Sequence, residues 1–314
     1  MSALEWRPVT LADVPELIRL DHAVAKHEGD PHLETEAGLA DDLADTAWTM
    51  ALDTQAAVAP DGTIAGWAGM APPPAGGTRI DAWGRVHPDA RGRGIGRRLL
   101  GWQLDRAAEQ YAEAGATGRW EFQTSVLDSD SEAARLFARY GLAPARYWFD
   151  MDRPVADPIP SVELAAGLEI VPFEGKYEDA VYHAHMEAFL DHWGFQHRPQ
   201  EEWRKRFDSA DFRPRQSLLV LTRDAEIAGY LLSMAFADPT RMTMTTIGTR
   251  RPWRRKGVAS ALMAAALEAY RAAGVTTANL GVDTANPSGA VGVYERMGFR
   301  TIQTAITFSR SIGN

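Results

Sequence analysis

The chain has 314 residues, with 33 Lys+Arg against 42 Asp+Glu and no cysteine. An apolar fraction of 45% over this length fits two globular domains and excludes global disorder. No run approaches the ~18 apolar residues of a membrane span, the formal net charge is −9, and the missing thiol excludes disulfides, thiolate zinc and a thiol nucleophile.

So acidic a chain is a poor nucleic-acid binder, because neutralising phosphates needs a basic surface. The first residues, Met1-Ser2-Ala3-Leu4-Glu5-Trp6-Arg7, lack a basic segment leading into an apolar one. No secretory leader and no membrane contact are expected, and the cytoplasm is the simplest location.

In chain order, Leu4-Glu5 opens the first element, and residues 13–25 carry apolar positions at helical spacing. Residues 55–59 and 63–70 flank Pro60-Asp61-Gly62, a hairpin signal. A helix follows over 94–114, stopped by Gly115, and then a strand over 119–126.

The same order recurs about 160 residues later, as a domain-sized repeat rather than a solenoid. Leu168-Glu169 precedes a helical segment at 178–189. Strands at 217–222 and 226–235 flank Arg223-Asp224-Ala225. A helix is predicted over 257–273, stopped by Gly274, and a strand over 277–282. Ile64-Ala65-Gly66 is matched by Ile227-Ala228-Gly229, and Arg139-Tyr140-Gly141-Leu142 by Arg296-Met297-Gly298-Phe299. Alternation of this kind means α/β with a mixed sheet. Pro154, Pro158 and Pro160 favour an extended connector. The expected division is 1–153, a linker at 154–167, and 168–314.

Chemistry concentrates at a glycine-rich turn between strand and helix. It reads Arg91-Gly92-Arg93-Gly94-Ile95-Gly96 in the first half and Arg254-Arg255-Lys256-Gly257-Val258-Ala259 in the second. Small residues admit phosphate oxygens close to the backbone, and a helix start offers unpaired N–H groups. Arginines add charge-assisted hydrogen bonds. The alternatives are a turn made for tight packing, a solvated helix end or a nucleic-acid patch. Neither the dinucleotide fingerprint nor the Walker pattern is present.

With Asn286, Tyr294 and Gly298-Phe299 following in order, the chain resembles the GNAT superfamily of N-acetyltransferases, once in each half. Mycothiol synthases are tandem members of similar length. The resemblance implies two tandem GNAT domains, each a mixed sheet splayed between its fourth and fifth strands and flanked by helices. Acetyl-CoA would lie in the gap, and coenzyme A would be the product. Its pyrophosphate would meet the two turns, residues 254–259 and the glycines and arginines of 91–96. A backbone N–H near Gly248 or Thr249 would serve the acyl carbonyl, with Val86 as the first-half counterpart. The resemblance also gives Asn286 a contact to the coenzyme arm. Asparagine before Pro287 is equally a helix cap.

The halves differ. Tyr294 is replaced by Phe137 and Asn286 by Ser129. A phenol can protonate a departing thiolate and phenylalanine cannot, so the resemblance makes Tyr294 the acid of a catalytic C-terminal domain; simple packing is the alternative. Residues 242–247 contain no carboxylate for a base, whereas Asp81 lies in the first-half equivalent. The resemblance places the segment 187–194 beside the acceptor pocket, where Asp191 and His192 are candidates for binding or deprotonating a small-molecule amine and Trp193 for an apolar or cation–π wall; a helix end and a packed tryptophan are the alternative. His183 and His185 read as ordinary helix residues. No metal site is indicated, and either a monomer or a homodimer is allowed. A non-catalytic acyl-CoA sensor is the reading from another functional class.

Overall fold

The computed structural model describes residues 4–45, 48–286 and 289–313. The first repeat forms β1 (Glu5–Arg7), α1 (Val14–Glu28), α2 (Glu36–Leu43), α3 (Met50–Asp53), β2 (Thr54–Val58), β3 (Ile64–Ala71), β4 (Arg79–Val86), α4 (Ile95–Glu113), β5 (Trp120–Leu127), α5 (Ser131–Arg139) and β6 (Ala143–Pro154). The second forms β7 (Leu168–Pro172), α6 (Glu178–Phe189), α7 (Gln200–Asp208), β8 (Leu218–Thr222), β9 (Ile227–Met234), β10 (Arg241–Thr249), α8 (Val258–Ala272), β11 (Thr277–Asp283), α9 (Ala290–Arg296) and β12 (Arg300–Ile312).

Local signals explain the stops. Gly115 and Gly274 adopt φ of +58° and +77°. The N–H groups of Gly115 and Ala116, and of Gly274 and Val275, turn back onto the last carbonyls of α4 and α8. The two hairpins turn through Gly62 at φ +86° and, at the matching position, Ala225 at φ +59°.

The chain divides into two compact units, residues 1–147 with 305–314, and residues 148–304. In the first unit the sheet runs β1-β2-β3-β4-β5 and ends with residues 305–312 of β12, antiparallel to β5. In the second it runs β7-β8-β9-β10-β11 and ends with residues 148–154 of β6, antiparallel to β11. Each repeat thus sends its last strand into the other unit's sheet. Repeat and spatial unit part at that strand.

An arginine near the end of each exchanged strand fastens it. Arg153 is almost fully buried and donates to the carbonyls of Met297, Pro154, Asp157 and Pro158. Arg310 donates to the Tyr140 carbonyl at the same point of the first unit. Gly298, at φ +89°, lets the Arg153 guanidinium pass. Residues 155–167 form neither helix nor strand, and Val155, Val162 and Leu164 pack on the second unit's core.

Both sheets splay at the same place. β4 pairs in parallel with β5 only over Arg79–Ala82, and β10 with β11 only over Arg241–Thr243. The outer half of each strand therefore leaves its parallel neighbour and borders a gap. Beneath the second gap, α8 buries Leu262, Met263, Ala266 and Leu267 against Met242, Met244, Ala278 and Leu280. Each of the leucines and methionines contributes about 1.5–3 kcal/mol, and together these side chains fix the floor of the gap.

Candidate active site

The glycine turns lie where the splayed strands end. Gly94 and Gly257 are the N-caps of α4 and α8, at φ of +82° and +77°. Neither helix start has a side-chain cap, so first-turn N–H groups point out beside the positive end of the helix dipole. Gly92 sits at φ +75°, and its counterpart Arg255 holds the same left-handed conformation at +61°. Gly96 has room for a methyl group, which Ala259 supplies in the second turn. Val258 is buried, whereas Arg93, Arg255 and Lys256 are exposed.

The first arginine of each motif braces the turn onto the protein. Arg91 reaches the Val86 carbonyl at 3.5 Å and Glu28 at 2.6 Å. Arg254 reaches the Thr249 carbonyl at 3.4 Å, the Ala188 carbonyl at 2.9 Å and Asp191 at 3.3 Å.

Strand alternation sorts the backbone donors. The Arg250 N–H bonds the Ala228 carbonyl, and the His87 N–H bonds that of Ala65. Alternate residues of an antiparallel strand face opposite neighbours, so the N–H groups of Thr249 and Val86 face the gaps. That of Gly248 faces β9, which corrects its expected place as a donor. Gly248 is glycine because the Tyr230 ring lies over it, where any Cβ would stand.

The two gaps differ by one residue. β4 pairs with β3 in unbroken register from Asp81 to Val86. On β10 the register slips between Met244 and Thr246, so Thr245 opposes no residue of β9. Such a bulge bends the strand and disrupts its ladder at the gap.

Tyr294 lies on α9, half-buried against the second core. Burial pushes its hydroxyl up to about 12, so the phenol keeps its proton at neutral pH. Phe137 packs edge-on against Phe308 at 5.3 Å. The helix starts at Ala290 with Gly289 as N-cap. Asn286 is therefore not its cap, which corrects that expectation; its N–H bonds the Asp283 carbonyl in a turn ahead of the helix. Pro287 lies outside the described residues.

The candidate acceptor residues separate. Asp191 accepts from Arg251 at 2.6 Å and from Arg254. Although partial desolvation opposes it, hydrogen bonds from Arg254 and Arg251 hold its pKa below the usual carboxylate value. That makes Asp191 a partner of the glycine turn and a poor base. His192 stacks with Trp148 at 6.2 Å, and Trp193 meets the same ring at 6.3 Å. Trp148 comes from β6, a strand the repeat pattern assigned to the other half.

On the sheet, Thr243 on β10 bonds Asn279, which donates to Asp150 and Asp152 of β6. Asp152 is also engaged by Arg241, and Asp81 is paired with Arg79. His183 is exposed. His185 has a specific partner: its Nδ1 meets the Tyr230 hydroxyl at 2.6 Å. Burial first, then nearby positive groups, pull its pKa down to about 3. Among the described residues no cluster of three His, Asp or Glu could hold a metal ion, and no helix is long and apolar enough to cross a membrane.

Two mixed sheets, each splayed beside a glycine-led helix start, define a tandem transferase of the acyl-CoA type. The Acetyltransferase (GNAT) family model matches residues 178–299, and an Acetyltransferase (GNAT) domain model matches 52–141. A mycothiol acetyltransferase of Thermobispora bispora is 31% identical over 239 residues, which span 72% of this chain and 74% of that protein. A GCN5-related N-acetyltransferase of Sphaerobacter thermophilus superposes with a TM-score of 0.81 at 27% identity, covering 99% of this chain and 96% of its own. A tandem GNAT protein from the clavulanic acid biosynthesis pathway has a TM-score of 0.73 at 20% identity, with 99% of each chain covered, and shares the fold. The chain belongs to the GNAT acetyltransferase family. It is a tandem-domain N-acetyltransferase that uses acetyl-CoA.

Proposed function

We propose that acetyl transfer to the primary amine of a small molecule takes place in the second unit. What carries this reading is an asymmetry: only the second gap combines a bulged fourth strand with a tyrosine on the helix after the fifth strand.

Acetyl-CoA supplies a thioester that an amine can attack and a thiol that must leave. The outward N–H groups of the α8 start, with Arg255 and Lys256 beside them, suit the negative charge of its pyrophosphate. The Thr249 N–H and the disrupted ladder at Thr245 offer backbone donors inside the gap, where a fixed dipole stabilises charge developing on oxygen. Tyr294 holds a proton at neutral pH and gives it to the leaving sulfur. The absence of cysteine excludes a thioester acyl-enzyme, and transfer is read as direct, through a ternary complex. The first unit keeps the turn and the splay but has Phe137 and an unbulged strand, and serves as a structural or cofactor-binding partner. The acidic, cysteine-free chain works in the cytoplasm.

The test is acetyl-CoA-dependent thiol release against aminoglycosides, polyamines, amino acids, lysine peptides and cysteinyl-glucosaminyl-inositol. The last belongs in the panel because the Thermobispora relative is a mycothiol acetyltransferase. Release with one class names the acceptor. Acetyl-CoA binding with no release from any amine overturns the catalytic reading in favour of an acyl-CoA sensor.

A further inference from the structure

The end of α6 is clasped to the glycine turn of the second unit by two carboxylates. Glu187 accepts from Arg250 at 2.7 Å and from the Arg251 N–H at 3.1 Å. Asp191 accepts from Arg251 and Arg254. His192 and Trp193 follow Asp191 directly, and both meet Trp148. One carboxylate therefore joins the turn to the start of an aromatic wall. The first unit repeats the device in simpler form, with Glu28 at the end of α1 holding Arg91 at 2.6 Å.

We propose that Asp191 is a positioning residue: through Arg251 and Arg254 it sets the His192–Trp193 wall for the acceptor while tempering the positive charge that the turn shows to acetyl-CoA. This rests on the reading that the second unit binds both substrates. Two consequences follow, and they have opposite signs. Without the carboxylate the wall loses the tie next to it and keeps only those through Glu187 and the Ala188 carbonyl, so it is set less firmly and the acceptor binds less well. The same change leaves the two arginines uncompensated. A dianionic pyrophosphate nearby then gains attraction, because unscreened charge a few ångströms away still acts at physiological salt.

The experiment compares wild type with Asp191→Asn and Asp191→Glu. Calorimetry gives the Kd of coenzyme A, and steady-state kinetics give the acceptor KM and kcat for the best amine of the panel. For Asp191→Asn we expect the acceptor KM to rise about tenfold, coenzyme A to bind about two- to fivefold tighter, and kcat to change less than about threefold. Asp191→Glu should recover most of both shifts. Weakening of both ligands together would mean a local folding role and would overturn the proposal. Weaker acceptor binding with unchanged coenzyme A binding would make Asp191 a direct acceptor contact and would overturn it as well. If wild type binds no coenzyme A, the functional reading itself fails, and the proposal falls with it.

Discussion

The Tyr230 hydroxyl and Nδ1 of His185 share a hydrogen bond across 2.6 Å, and the ring of this tyrosine covers Gly248. A helix side chain of α6 thereby fixes a β9 side chain, which in turn sets the path of β10 beside the gap. Burial first, then nearby positive groups, keep this imidazole neutral by lowering its pKa from an ordinary 6.5 to about 3. Between those values the unfolded chain binds a proton that the folded chain does not. Stability should thus be full above pH 6.5 and fall as pH drops toward 3, with a slope of up to ~1.4 kcal/mol per pH unit. His185→Asn should flatten that slope. Urea midpoints measured at pH 7 and pH 5 check it; parallel losses in wild type and variant would remove His185 as the cause.

Tyr294→Phe keeps the ring and its contacts with the second core and deletes the proton donor. Its kcat should fall about 100-fold, with coenzyme A affinity unchanged. The reciprocal change, Phe137→Tyr, should add no activity, since β4 lacks the bulge that accompanies Tyr294. Because burial places this phenol at about 12, its ionisation should give no alkaline limb in the rate profile below about pH 11. A Tyr294→Phe enzyme with near-normal kcat would assign the residue to packing alone.

Gly248→Ala should be costly although the residue touches no substrate group. Any Cβ there enters the Tyr230 ring, and the ring is fully buried, so packing keeps it from swinging aside. Overpacking of this kind costs about 1–3 kcal/mol. Adding Tyr230→Phe should recover little, since the ring remains. Tyr230→Leu should recover part of the loss. Chemical denaturation of the single and double variants decides.

Much of this was legible in the residues. The helices expected at 178–189 and 257–273 and both hairpins follow from spacing and turn residues, and the chain repeats them; the splay of the fourth and fifth strands was legible only through the resemblance to the GNAT superfamily. The exchange of β6 and β12 was not legible, because a strand's alternation does not say which sheet it joins. Trp148 was missed for that reason. Thr245 was hidden because a one-residue insertion is absorbed by the shorter loop before β10, so the motif offsets on either side stay nearly constant. His185 read as an ordinary helix residue because its partner Tyr230 is distant in sequence. Asp191 was a candidate for the amine through the resemblance, and only three-dimensional contacts reveal that its partners are Arg251 and Arg254.

The two hairpins provide an internal control for backbone strain. Gly62 and Ala225 occupy the same left-handed position, with nothing near the missing Cβ of Gly62. Alanine pays a steric cost at positive φ that glycine does not. Ala225→Gly should therefore stabilise the protein by about 0.5–1 kcal/mol without changing activity. The reverse change, Gly62→Ala, should cost about the same. A thermal melt in which Ala225→Gly lowers stability would mean that the flexibility added to the unfolded chain outweighs the relief.

The sharpest test of where chemistry occurs is removal of Thr245. β10 has nine residues and β4 has eight, and the extra one is the bulge. Deleting it should let β10 pair with β9 in continuous register, as β4 does with β3. The residues before the deletion keep their faces, because the bulge already counts Thr245 and Thr246 as one position opposite Leu232. Met242 and Met244 thus remain in the core, and the fold should survive with stability changed by no more than about 1–2 kcal/mol. The gap would then carry the straight strand of the first unit. If backbone donors at the bulge stabilise the reacting carbonyl, kcat/KM should fall at least about 100-fold, the size of one oxyanion donor. Coenzyme A should still bind, since the α8 turn is untouched. Full turnover in a folded deletion variant would separate the bulge from catalysis and shift the test to Tyr294.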